Sequence, residues 1–381
     1  MDDLFGMEEA GGAWTGDDRA GVAPARRHGR GAASNRAGRF EPTTRAPVDD
    51  GWHGPDTAEA EPPAPLRTEV LHDHSRSVIA RNSSPDLPFD RSINPYRGCE
   101  HGCVYCFARP SHAYLGMSPG LDFETKILIK PDAPARLAEE LRARGYLCRP
   151  IAMGTNTDPY QPLERERRIT RELLEVLRAH RHPVSIVTKG AGVTRDVDIL
   201  GEMGRQGLAR VFLSITTLDH RLGRTLEPRA ASPQARLRAI AALSRAGCPT
   251  GVMVAPVIPA LTDHELERIL EAASRAGAKS AGYIVLRLPL EVRALFQEWL
   301  EEHRPDAAER VMGRVRELHG GKDYDSRFGR RMSGQGVWAD LLRRRFHGAA
   351  RRFGLAGKPE PLRTDLFRCP QRPGDQLSMG F

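Results

Sequence analysis

The sequence predicts an α/β fold, an open, partial barrel of six strand–helix units. Three observations predict it. Short apolar runs alternate with amphipathic helical stretches. The repeat is roughly thirty residues, the length of a strand with its crossover helix. Two of the helical stretches also carry explicit start and stop signals. Six strands are too few for a closed eight-stranded barrel but suffice for an open one. In that geometry chemistry sits at the carboxyl ends of the strands, so the residues just after each strand are the candidate site positions.

The apolar runs 92–94, 150–153, 184–188, 210–215, 251–257 and 282–288 read as strands. Helical patterns occupy 134–144, 169–180, 196–205, 233–246 and 263–276. Ser232 before Pro233 is an N-cap followed by a first-turn proline, and Thr262 to Glu265 has capping-box spacing. Gly247 and Gly277 follow the last turns, where glycine tolerates the left-handed C-cap geometry. Leu237, Ile240 and Ala241 form the inward stripe of the fourth helix.

Residues 1–70 are rich in Gly, Ala, Pro, Arg and Asp and show no sustained period. Such a segment cannot bury enough apolar area to offset its ordering entropy, so it reads as disordered, with order beginning near Ser75 and firm by Ser92. The core spans 75–318, its last part helical. Gly320-Gly321 then opens an arginine-rich C-terminal extension, 319–381, with Arg330-Arg331, Arg343-Arg344-Arg345 and Arg351-Arg352. Trp338, Leu341, Leu342 and Phe346 share a helical face, so the extension packs back on the core and its arginines take the solvated side. The competing reading is a basic surface making weak contact with nucleic acid.

A formal charge of +8 permits an acidic partner without requiring one. The first residues, Met1-Asp2-Asp3-Leu4-Phe5, lack the basic-then-apolar order of a secretion signal, and no apolar run is long enough to cross a bilayer. A cytoplasmic location, with reduced thiols and no membrane contact, is expected. Six cysteines in 381 residues are no disulfide framework, and three of them, Cys99, Cys103 and Cys106, lie on one short loop. That clustering points to metal.

The loop reads Asn94-Pro95-Tyr96-Arg97-Gly98-Cys99-Glu100-His101-Gly102-Cys103-Val104-Tyr105-Cys106-Phe107. Three thiolates at C-x3-C-x2-C spacing can wrap one metal centre, with Gly98 and Gly102 permitting the tight bends. A [4Fe–4S] cubane is normally held by four thiolates. With three, one iron stays open to a substrate or cofactor. Two alternatives stand beside this. A Cys3His zinc site could use His101, although zinc modules usually show two separated ligand pairs. An electron-transfer cluster would need a fourth ligand from Cys148, Cys248 or Cys369. Cys148 and Cys248 precede strands, at the end of the fold away from the site, and read as small buried hydrophobes.

The string from Ile93 through Arg109 resembles the radical S-adenosylmethionine (radical SAM) superfamily, in particular its spore-photolyase-related branch. The resemblance covers about 75–288 and is strongest at the cysteine loop. It implies a partial (β/α)6, TIM-like barrel holding a [4Fe–4S] cluster. It further implies an enzyme that reductively cleaves S-adenosyl-L-methionine (SAM) to a 5′-deoxyadenosyl radical, which takes hydrogen from a substrate. A reductant such as flavodoxin or ferredoxin would supply the electron. A member acting on nucleic acid is the alternative, and a zinc-stabilised nucleic-acid-binding module the third reading.

Residue by residue, the resemblance implies that Tyr105 and Phe107 flank the adenine. Thr155 and Asn156, in the run Gly154–Thr157, stand where many members have a glycine-glycine-glutamate run for the SAM amine. Lys189 meets the SAM carboxylate, Ser214 and Thr216 approach ribose or carboxylate, and Ala255-Pro256 meets adenine. The hydrogen-donating cysteine that spore photolyases carry near their second strand is replaced by Gly154, so photoproduct repair by the same termination step is not expected. Asp158 and Tyr160 are placed either facing substrate or in a turn; His112 and Tyr114 are similarly open.

Overall fold

The computed structural model describes residues 29–41 and 66–370. Six parallel strands, Arg91–Ile93, Ile151–Met153, Val184–Thr188, Ala209–Ser214, Thr250–Val257 and Ser280–Val285, lie side by side in chain order. Ala80–Arg81 adds an antiparallel strand outside the first. Helices Ala133–Leu141, Ile169–Ala179, Val197–Arg205, Pro233–Arg245 and Leu266–Arg275 connect the strands in turn. Buried Val and Ile of the strands meet Leu and Ile of these helices in one continuous core, including Ile186, Val211, Val252, Leu173, Ile199 and Leu270. The mixed α/β, partly closed barrel expected from the repeat is the architecture found.

Several local details depart from the sequence reading. The sixth strand ends at Val285 rather than 288, after a break in register between Tyr283 and Val285. Ser232 does cap its helix, accepting from the Ala235 amide at 3.3 Å, and Gly247 and Gly277 have φ of 87° and 104°. The capping box at Thr262–Glu265 does not form. Thr262 Oγ1 instead accepts from the Ile258 amide, and the Glu265 carboxylate accepts from the Thr217 hydroxyl and the Leu218 amide. Tertiary donors took both side chains, and the α-helix begins only at Leu266. In the fourth helix the buried positions are Pro233, Arg236, Ala239, Ile240 and Leu243, so an arginine shares the inward stripe while Leu237 and Ala241 are only partly buried.

A second, small sheet was missed. Glu69–His72 pairs in parallel with Lys126–Ile129, which pairs antiparallel with Tyr96–Arg97. These partners lie far apart in sequence, so no local pattern announces their pairing. The same sheet sets the order of the chain from residue 69, earlier than Ser75.

The segment expected to be disordered is partly packed. Residues 29–41 form a strap across the cysteine loop. The amides of Gly31 and Ala32 each donate to the Glu124 carboxylate at 2.9 Å, and Arg30 Nη1 donates to the Glu124 carbonyl at 2.8 Å. Asn35 and Asp122 exchange a side-chain and a backbone hydrogen bond, both 3.0 Å. Phe40 packs at a tilt against Tyr114 with ring centroids 5.1 Å apart. The strap is held by polar partners supplied from elsewhere, which its Gly- and Ala-rich composition does not reveal. The remainder of 1–70 that carries the low-complexity pattern lies outside the described residues, except 66–70.

Of the C-terminal extension, residues 319–370 are described. Its helix, Gly336–Arg352, buries Ala339, Leu342, Phe346, Ala349 and Ala350, and Phe346 meets Tyr283 of the sixth strand at 4.7 Å between ring centroids. Leu341, expected inward, is 51% exposed. Arg343 pairs with Asp340 on the exposed side of the helix, whereas Arg345 reaches across to Glu267 and the Asp263 carbonyl at the start of the fifth connecting helix. Ahead of this helix the chain crosses the open side of the barrel. The Val285 amide donates to the Met332 carbonyl at 2.9 Å. Arg331 donates to Asp86 at 2.7 Å and to Ser84 at 2.6 Å, in the loop before the first barrel strand. The two edges of the sheet are thereby tied together. Among the described residues no helix is long and apolar enough to cross a membrane.

A Cβ added at Gly31 would collide with the carbonyl oxygen of Gly102, which belongs to the cysteine loop's backbone. Gly31→Val is therefore expected to lift the strap. Limited trypsinolysis should cut after Arg36 and Arg39 several-fold faster than in the wild type, and unchanged cutting would show that the strap does not depend on this approach.

Candidate active site

The cysteine loop follows the first barrel strand and lies at the carboxyl ends of the sheet. Its turns use Gly98 and Gly102, at φ of 81° and 66°, a region costly to residues with a Cβ. Cys99 and Cys103 are buried and Cys106 is partly exposed; all three are free thiols. Burial pushes the Cys99 and Cys103 thiols up, and Cys99 also feels the charges of Asp158, Cys103 and Cys106. The three thiols thus stand close enough to feel one another's charge.

Arg109 underlies this loop. Its fully buried guanidinium donates to the Cys103 carbonyl at 2.9 Å, to the Gly120 carbonyl at 2.9 Å and to the Glu124 carboxylate. Glu100, one residue past the first cysteine, accepts from Thr68 at 2.5 Å and from the Leu163 amide at 2.6 Å. His101 pairs through Nδ1 with Asp158 at 3.3 Å. Among the described residues no group of three or more His, Cys, Asp or Glu could hold a single metal ion.

The other cysteines stand apart. Cys148 and Cys248 lie just before the second and fifth barrel strands, at the opposite end of the sheet. Burial raises both, Cys148 to about 11 and Cys248 to about 12, as for inert thiols. Cys369 is exposed and reaches the Leu141 carbonyl at 3.5 Å, at the end of the helix preceding the second strand.

On the Tyr105 side lies a buried polar network. The Tyr105 hydroxyl donates to Glu227 and sits 3.0 Å from the Thr216 hydroxyl. Thr216 Oγ1 in turn reaches Glu227 at 2.7 Å and the Ala255 carbonyl at 3.1 Å. Arg236 donates to Glu227 and, at 2.8 Å, to the Ser214 carbonyl. Lys189 Nζ lies 5.7 Å above the Tyr105 ring. Burial opposes ionisation of Glu227, but Arg236 and Lys189 outweigh it and hold its pKa at about 2. Glu227 and Arg236 were not singled out from sequence. The Arg inside an apolar helix stripe was the available signal.

Most other candidates have structural partners. Thr155 Oγ1 bonds the Asn94 side chain at 3.1 Å, and the Asn156 amide donates to Asn94 Oδ1 at 3.0 Å, which fixes the second strand's exit against the first. Asp158 faces a turn rather than substrate space. Its carboxylate accepts from the Tyr160 and Lys189 amides at 2.8 and 2.7 Å and from the Thr188 hydroxyl at 2.6 Å. Burial would raise Asp158, but His101 and these donors bring it to about 2. Tyr160 is buried with Arg195 beneath its ring, so it too packs inward. His112, fully buried, bonds the Lys126 carbonyl at 3.0 Å, and burial lowers it to about 4. Tyr114 meets the strap. At Gly154, φ is 87°, and a Cβ would strike the Val187 carbonyl oxygen, so the backbone leaves no room there for a cysteine. Pro256 follows a cis peptide bond after Ala255.

On the Phe107 side, Arg287 lies two residues beyond the end of the sixth strand, its guanidinium 4.1 Å over the Phe107 ring. Phe107 itself is 36% exposed. Sequence reading missed Arg287 because it counted the residue inside an apolar strand.

A family model described as the radical SAM superfamily matches residues 93–273, from the first barrel strand through the fifth connecting helix. An uncharacterised protein of Mycobacterium tuberculosis (Rv2578c) is 37% identical over 288 residues, 74% of this chain and 81% of that relative. The chain belongs to the radical SAM superfamily. An uncharacterised protein of Methanocaldococcus jannaschii (MJ0683) is 26% identical over 249 residues, 65% of this chain and 89% of that relative. Among solved structures, a spore photoproduct lyase variant superposes with a TM-score of 0.55 at 18% identity, over 75% of this chain and 79% of the other. Another, with bound AdoMet and dinucleoside spore photoproduct, gives 0.54 at 17% identity over the same shares. The likeness is one of fold, and this radical SAM chain is an enzyme of that class.

Asp158 and Glu227 both titrate below the values of an unfolded chain, ~3.9 and ~4.3. Their partners therefore contribute stability that is fully present above about pH 5 and lost as the pH falls toward 2. Thermal unfolding of the radical SAM protein should show a steep drop in Tm over that window. The drop should be shallower in Glu227→Gln, and an equal slope would show that Glu227 does not contribute to it.

Proposed function

We propose that Cys99, Cys103 and Cys106 hold a [4Fe–4S] cluster and that SAM binds above it, between the cysteine loop and the ends of the second to fifth strands. The observation carrying this reading is the donor set itself: three free thiols stand on one short loop, with the other three described cysteines at the far end of the sheet. When bound, such a cluster supplies the electron for reductive cleavage of SAM, and thereby the 5′-deoxyadenosyl radical that abstracts hydrogen from substrate.

The protein's part is to hold and orient. Arg109 and Glu124 fix the loop from beneath. Lys189 meets no carboxylate at hydrogen-bond distance among the described residues, and with its ammonium over Tyr105 it is suited to the SAM carboxylate. Ser214, buried at the end of the fourth strand, and the Ala255 backbone line the same side. Thr155 and Asn156 shape the exit of the second strand for the SAM amine, while Tyr105 and Phe107 flank the adenine. Thr216, already engaged by Glu227, serves to position Tyr105 rather than to bind ribose. A small reductant such as flavodoxin or ferredoxin and a cytoplasmic setting suit this chemistry.

Iron analysis and SAM titration test the reading. Anaerobically reconstituted protein should hold about four irons per chain. Cys99→Ala, Cys103→Ala or Cys106→Ala should abolish that content, and Cys148→Ala should leave it. Lys189→Ala should keep the iron yet weaken SAM binding about tenfold, which is about 1.4 kcal/mol. Equal iron loss from Cys148→Ala would overturn the ligand set, and unchanged SAM affinity in Lys189→Ala would overturn the placement of its carboxylate.

A further inference from the structure

Four buried arginines carry carboxylates: Arg91 with Asp90, Arg109 with Glu124, Arg236 with Glu227 and Arg331 with Asp86. Arg287, partly buried, differs from these four. Among the described residues its guanidinium makes no hydrogen bond or ion pair, only the stack on Phe107. The charged and titratable groups that act on it are Tyr324, Arg331, Asp86 and Cys106. Asp86 is already committed, its Oδ2 accepting from Arg331 and its Oδ1 from the Gly329 amide, each at 2.7 Å. A guanidinium stacked by its face on an aromatic ring keeps its N–H edge free, in the planar fork that matches a carboxylate or phosphate.

Its position gives that edge a use. The cysteine loop has a cation on each flank, Lys189 over Tyr105 and Arg287 over Phe107. Resting on the assignment of Lys189 to the SAM carboxylate, we propose that Arg287 anchors an oxyanion of the substrate, a carboxylate or a phosphate, beside Phe107 at the mouth of the barrel. The substrate is thus an anionic molecule, held by its charged group while another of its atoms faces SAM. The backbone of this region is fixed, since the Leu286 amide bonds the Val257 carbonyl at 3.0 Å and the Val285 amide bonds Met332. The bridge across the open side of the barrel therefore also sets where Arg287 stands.

Arginine modification by phenylglyoxal, mapped by mass spectrometry on the reconstituted full chain in an anion-poor buffer, tests this. Arg287 should react faster than Arg109 and Arg236, which are paired. With SAM present, either inorganic phosphate or acetate should protect Arg287 roughly tenfold when added at about ten times its Kd. The more effective of the two names the substrate's anion. Arg287→Gln should abolish that anion's binding while leaving iron content and SAM affinity as in the wild type. Protection by neither anion at tens of millimolar would overturn the proposal. Protection by SAM alone, with SAM affinity lost in Arg287→Gln, would also overturn it and assign Arg287 to the cofactor. Unchanged SAM affinity in Lys189→Ala would instead remove the Lys189 reading by itself.

Discussion

The buried pair of Arg109 and Glu124 is the constraint on which the rest of the site depends. Both side chains are fully buried, and each satisfies several backbone groups beyond its partner. Arg109 ties the Cys103 carbonyl to the carbonyls of Pro119 and Gly120. Glu124 receives the amides of Gly31 and Ala32. An ion pair in a low-dielectric interior is tolerable only when its remaining donors and acceptors are filled, and removing one partner typically costs about 3–5 kcal/mol. Here the filling groups belong to the cysteine loop, the segment after it and the N-terminal strap. One pair therefore sets the relation of three chain segments, and the loop's shape is inherited from it.

A second buried carboxylate plays the same part on the other flank. Glu227 gathers Arg236, Tyr105 and Thr216, which reach it from the fourth connecting helix, the cysteine loop and the end of the fourth strand. Tyr105 is thus held at its hydroxyl while its ring supports Lys189. The cysteine loop is clamped from beneath by Arg109 and from the side by Glu227. Such fixation suits chemistry in which a reactive species must meet one chosen atom and no other.

Closure of the barrel follows a different logic. The six barrel strands with the added antiparallel strand leave two sheet edges, Ala80–Arg81 and Ser280–Val285. The segment before the last helix bonds the second edge through Met332 and reaches the loop beside the first through Arg331. The helix that follows lays its Ala, Leu and Phe face against the sixth strand and the fifth connecting helix. Arginines that look alike in sequence thus divide by position. Arg331 is a buried tie and Arg345 a tie to the fifth connecting helix, whereas Arg343 pairs with Asp340 on the exposed side.

The sequence by itself determined the repeat, the class of fold and the cysteine loop. Strand–helix periodicity is local, glycine at the C-caps is local, and three ligands on one loop need no distant partner to be recognised. Tertiary structure decided everything that rests on pairing between remote residues. It turned Thr262 and Glu265 away from their own helix, made Asp158 the keeper of a turn, and ordered a Gly- and Ala-rich strap with the amide acceptors of Glu124. It also drew Arg287 out of an apolar run and set it over Phe107. The physical reason is common to all of these. A polar group's role is fixed by which donor or acceptor the fold brings within about 3 Å of it, and that neighbour is not written nearby in the chain.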